Sequence, residues 1–189
     1  MKLTQALVAA VLCVLALGAG AADEKDKALE KAEIRKMCQD SLDRLYSAQP
    51  AARSAVRDAA GYAVFSNTGV KILFAGSGKG KGVAVNNSTK NETFMNMLEL
   101  QGGLGFGVKK FTVVFLFAND KVMNNFVNSG WQFGGQASAA AKTSPEKGGS
   151  MQGATAVSEG IYMYQLTDKG LAAEITMKGT KYSKDKDLN

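Results

Sequence analysis

FAGSGKGKGVAV, residues Phe74 to Val85, places two lysines among glycines directly after an apolar run, where a phosphate-cradling loop would be expected. The P-loop pattern GxxxxGK[ST] does not fit. Pairing Gly78 with Lys79 puts the first glycine at Leu73 and the hydroxyl at Gly80; pairing Gly80 with Lys81 puts them at Ala75 and Gly82. A dinucleotide GxGxxG started at Gly76 and Gly78 would need a glycine where Lys81 stands. What remains is the alternation Gly76, Gly78, Gly80, Gly82. A period of two is the period of a β-strand, with glycines on one face and Lys79 and Lys81 on the other.

The chain has 189 residues, enough for one domain with a substantial core. Lys2, the apolar run Ala6 to Leu17 and the small residues Ala19-Gly20-Ala21 form the three parts of a cleaved secretory signal, so residues 1–22 are expected to be removed and the protein exported, periplasmic or secreted. Cys13 lies inside that run, not after a small residue at its end, and so does not read as a lipidation site. The remaining Cys38 cannot form an intramolecular disulfide. With 23 Lys+Arg against 17 Asp+Glu the formal charge is +6, which suits an anionic partner but equally suits a merely soluble basic protein.

Residues 23–48 read as an amphipathic helix, rich in Ala, Lys, Glu and Leu without Gly or Pro; Ile34, Met37, Cys38, Leu42 and Leu45 make one apolar stripe. That stripe suits a core face or a membrane surface. A short second helix is expected over Ala51–Ala59. Of 21 glycines, 17 lie between Gly61 and Gly160, interleaved with Val, Phe, Ile, Leu and Thr, the composition of short strands and turns. Strands are expected near 62–66, 70–76, 81–86, 92–100, 103–108, 112–117, 132–140, 153–158, 161–165 and 171–177, with a helix over Asp120–Ser129. Residues 49–182 would form this glycine-rich β domain and 183–189 a frayed polar tail. The predicted fold is α+β: N-terminal helices, then a strongly curved or barrel-like antiparallel β-sheet with one inserted helix.

GYAVF, ILFAGSGKGKGVAV, ELQGGLGFG, FLFANDKVMNNFVNSG and GIYMYQLTDKGLAAEITMKGTKY, taken in this order from about Leu42 to Tyr182, resemble the SYLF family of lipid-binding domains. The resemblance implies a non-enzymatic module: eukaryotic members bind phosphoinositide membranes, some associate with actin filaments, and bacterial members are short exported proteins. Where the family has a Trp and a Pro before ELQGGLGFG, this chain reads NETFMNML, and its sole Trp is Trp131.

No histidine is present, which removes Ser-His-Asp triads, Cys-His pairs and HExxH zinc sites. Ser158 in AVSEG then lacks a base, and Asp40 and Asp43 fall on a lysine-rich helix face. No catalytic residue, metal or cofactor is expected. Lys79 and Lys81, with Lys109 and Lys110, are the candidate lipid-binding residues: exposed, they would form a cationic surface for anionic phospholipid head groups, or else protect sheet edges from pairing. As exposed lysines they would contribute little to stability. An envelope protein partner is the alternative reading; no nucleic-acid partner is expected.

The signal reading predicts that N-terminal sequencing of the exported protein begins at Ala22 or Asp23; a mature chain still starting at Met1 would contradict it.

Overall fold

In the computed structural model, described residues comprise 2–67, 79–99, 111–133, 153–172 and 179–189, with side chains left out for 2–22, Lys79 and Glu99. Helix α1 spans Lys2–Ala48 and α2 spans Ala52–Asp58. Strands β1 (Gly61–Ser66), β2 (Lys79–Asn86), β3 (Glu92–Glu99) and β4 (Thr112–Phe117) precede α3 (Asp120–Ser129). Strands β5 (Trp131–Phe133), β6 (Thr155–Ser158), β7 (Ile161–Thr167), β8 (Gly170–Leu171) and β9 (Thr180–Lys184) follow. They form one curled antiparallel sheet in the order β5-β9-β3-β2-β1-β4-β7-β6, with β8 paired to β7. The expected α+β architecture is therefore observed, with β4 and α3 at their predicted bounds. The expected strands at 70–76 and 103–108 lie outside the described residues.

Both faces of the sheet are covered. On one face Val64, Val83, Phe94, Val114, Leu116, Tyr164 and Leu166 meet the α1 stripe of Ile34, Met37, Cys38, Leu42 and Leu45. That stripe is a core face. On the other face Phe65, Met95, Met97, Phe115, Phe117 and Tyr182 meet Met123, Phe126 and Val127 of α3. The near-continuous apolar runs GYAVF and TVVFLF follow from this double burial, because a strand covered on both sides has no polar face to alternate with. Asn119 caps α3 by accepting from Val122 N at 3.0 Å, which sets the helix start against the strand before it.

The opening glycines now have a physical cause. Gly82 is registered opposite Phe65 on β1, and a Cβ at Gly82 would lie 2.3 Å from Phe65 Cδ1 and 2.3 Å from the Val64 carbonyl oxygen. At Gly80 it would lie 2.2 Å from Met97 Cε. The Phe65 ring thus occupies the place of the Gly82 side chain, and Met97 that of Gly80. This leaves Phe65 in ring contact with Tyr182 at 4.6 Å and Phe115 at 6.0 Å.

The tail is corrected. It was expected to fray, but β9 begins at Thr180 and Leu188 is 1% exposed. The Asn189 side chain donates to Phe94 O at 2.8 Å, while Asp185 accepts from Asp187 N at 2.9 Å, so the polar residues are spent on backbone groups.

Replacing Gly82 by Ala should cost about 2–3 kcal/mol, an overpacking penalty with a backbone atom on one side that cannot yield. Urea denaturation should show the midpoint falling at unchanged slope; an unchanged midpoint would contradict the packing described.

Candidate functional site: a cationic groove beside the N-terminal helix

Of the four lysines named from sequence, Lys81 alone has a described side chain. Lys79 is placed on β2 opposite Leu98, with its side chain outside the description; Lys109 and Lys110 lie outside it entirely. Lys81 is resolved, and it is not free. Its ammonium lies 3.1 Å from Glu30 of α1 and 2.5 Å from Asp185 after β9, and the Asp185 side chain is only 3% exposed. Alternation does put Lys81 on the face opposite Gly80 and Gly82, as the period of two requires. That face is covered by α1, so the lysine meets carboxylates instead of solvent.

Burial alone would lower the Lys81 pKa, but its hydrogen bonds to Asp185 and Glu30 raise it above the ordinary lysine value. For Asp185, burial pushes upward, and the bonds from Lys81 and from the Asp187 and Leu188 amides hold the carboxyl below its ordinary value. The signs follow. Asp185 contributes stability that is present above about pH 3.9, the unfolded value, and lost as pH falls through its lower folded value. Lys81 contributes stability that is present below about pH 10.4 and lost as pH rises through its higher folded value. Sequence reasoning expected Lys81 to be dispensable for stability; it is a structural ion pair.

The described cations gather elsewhere. A groove of about 580 Å³ runs between α1, the β2–β3 turn and the C-terminal segment, lined by Lys31, Arg35, Lys90 and Lys184 with Phe94 at its base. Lys31 Nζ stands 5.6 Å and Arg35 Cζ 5.2 Å from the Phe94 ring centroid, within cation–π range. Arg35 also binds Glu92 at 2.8 Å, which ties α1 to β3 and neutralises one charge. Three cations remain against that one ion pair.

Lys90 is the one described non-glycine residue with positive φ, at 60°. The turn that holds it is built by Asn86, whose side-chain oxygen accepts from Ser88 N at 3.0 Å and Thr89 N at 2.8 Å. A lysine there carries backbone strain that glycine would avoid. Sequence reasoning weighed the N-terminal helix for a membrane surface but missed Lys90 and Lys184, since only the turn and β9 bring them to α1. The signal available was Asn86-Asn87-Ser88, a run of turn-forming residues four positions before Lys90. Cys38, 6% exposed, has its thiol pushed up to about 12 by burial and offers no nucleophile.

Lys81→Met should destabilise the protein by about 3 kcal/mol, because a buried carboxylate loses its partner. The exposed pair Lys36–Asp40, 2.6 Å apart with side chains 75% and 58% exposed, provides the contrast: Lys36→Met should change stability by less than about 1 kcal/mol. Equal denaturation midpoints for the two variants would refute the structural role.

The Ysc84 family, described as "Las17-binding protein actin regulator", matches residues 98–189. Beta cell expansion factor A of Aeromonas veronii is 33% identical over 156 residues, which cover 82% of this chain and 57% of that protein. The chain thus corresponds to somewhat over half the length of that relative. The matched segment holds β4, α3, β5 and the strands through β9, and the relative's match extends beyond it. The order of glycine and aromatic motifs and these two matches agree: residues 98–189 carry a Ysc84, or SYLF, domain.

Proposed function

We propose that this protein is an exported, non-enzymatic lipid-binding module that attaches peripherally to anionic phospholipid membrane. The match to that family favours a lipid-binding or actin-related adaptor role, and export rests on the N-terminal signal pattern. The observation that carries the membrane reading is the groove of Lys31, Arg35, Lys90 and Lys184, where a strained turn holds one cation beside three others. Each lysine near an anionic surface contributes on the order of 1 kcal/mol, and the attraction decays within a Debye length of ~10 Å at 0.1 M salt. Lys79, Lys109 and Lys110 remain candidates for a second basic point; Lys81 does not. Among the described residues no helix is long and apolar enough to cross a membrane.

A protein-docking role in the cell envelope is the second reading, favoured by the family description as Las17-binding.

Co-sedimentation with vesicles tests the choice. Binding to phosphatidylglycerol/phosphatidylcholine vesicles should exceed binding to phosphatidylcholine alone and should weaken from ~0.05 M to ~0.5 M salt. The triple variant Lys31→Gln, Lys90→Gln, Lys184→Gln should bind several-fold more weakly with little loss of stability. Lys90→Gly should weaken binding while stabilising the fold by up to about 1 kcal/mol, since the strain is relieved. Binding indifferent to lipid charge, or unchanged in the triple variant, would refute the groove; no vesicle binding at all would favour the protein-docking reading.

A further inference from the structure

A second groove lies on the opposite side of the sheet, between α3 and the β6–β7 turn, and its chemistry differs. Its volume is about 760 Å³, within the ~300–1,000 Å³ typical of small-molecule sites. Buried Phe126 and half-buried Trp131 supply apolar lining, and the exposed side chains of Lys121, Asn125, Ser129 and Glu159 supply polar lining. The Trp131 ring is held by Phe115 at 5.4 Å, Phe126 at 5.7 Å and Tyr182 at 5.9 Å between centroids, so it is a fixed platform.

Two lining residues are glycines that the geometry requires. Gly130 has φ 72°, and a Cβ there would lie 2.9 Å from the Tyr182 carbonyl oxygen. Gly160 has φ 69°, and its Cβ would meet Val122 Cγ2 at 3.0 Å. The chain therefore turns tightly at both points, ending α3 at one and joining β6 to β7 at the other. These turns place Trp131 and Glu159 in the same groove.

The ligand class follows by elimination. Lys121 is offset by Glu159, so the lining carries no net charge and a phosphate gains nothing over water. An acyl chain would match the aromatic part of the lining and none of its polar side chains. A ligand with neutral hydroxyls and an apolar ring face satisfies both halves: the indole offers a flat apolar surface, the Asn125 amide both donates and accepts, and the Glu159 carboxylate accepts from hydroxyls. We propose that this groove is a binding site for a neutral saccharide, with one sugar ring against Trp131 and its hydroxyls bonded to Asn125 and Glu159.

Trp131 is the single tryptophan of the chain, so its fluorescence reports the groove directly. The full chain would be titrated with maltotriose, cellotriose and triacetylchitotriose in the absence of lipid. At least one should give a saturable fluorescence change that persists at high salt. Asn125→Ala and Glu159→Gln, both at exposed positions, should each weaken it about tenfold without moving the denaturation midpoint. No saturable change with any of the three, a response abolished by salt, or one untouched by both substitutions would overturn the proposal. The vesicle experiment reads a different surface, so either result stands apart from the other.

Discussion

The close seating of Phe65 on Gly82 is the contact on which the remaining structure depends. Sheets curve at glycines, and a ring on the neighbouring strand can cover the space that a glycine leaves. Glycine on β2 permits that approach, and Phe65 then touches Phe115 and Tyr182, which come from β4 and β9. Strands far apart in sequence are joined through one aromatic cluster. The same cluster receives Phe126 of α3 at 6.2 Å from Phe65, so the inserted helix is oriented by it. Aromatic pairs at such spacing contribute roughly 0.5–1.5 kcal/mol each beyond area burial, and burial of a Phe side chain roughly 1.5–3 kcal/mol.

On the other face, α1 is fastened by polar contacts around its apolar stripe. Glu30 reaches Lys81, Arg35 reaches Glu92, and Arg44 donates to the Thr167 carbonyl at 3.0 Å. These contacts fall on three different strands, β2, the start of β3 and the end of β7, so together they fix helix rotation as well as contact. The ion pair of Lys81 with Asp185 extends the arrangement to the C-terminal segment. The charges nearest the core are thereby consumed in holding layers together. Those left over lie at the rim, where Lys90 and Lys184 are exposed and Lys31 is half-buried over Phe94.

This division explains how one residue type serves two purposes. Lys81 and Lys90 are only nine positions apart and belong to one strand and its turn. Lys81 points into the layer beneath α1, where desolvation must be repaid by carboxylates. Lys90 sits past the strand end, on a turn whose backbone is held in the left-handed region by the Asn86 side chain. A charge at such a position costs no desolvation and stays available to a partner.

Much of the fold was legible in the chain itself. The period-two glycines implied a strand, the TVVFLF run and the segment Asp120–Ser129 placed β4 and α3 at their observed bounds, and the stripe from Ile34 to Leu45 was readable as a core face. These are local signals, carried by residues within a few positions of one another. The fate of the charges was not local. Nothing near Lys81 in sequence announces Glu30 or Asp185, 51 and 104 positions away, and nothing in the polar run Lys181–Asn189 announces that Leu188 is buried. Sequence alone determined which residues alternate, which face a strand turns to its neighbours and where α3 begins. Only the tertiary structure decided which layer covers each face, and therefore which lysines are neutralised and which remain free, because electrostatic partners are chosen by proximity in space after the sheet has closed.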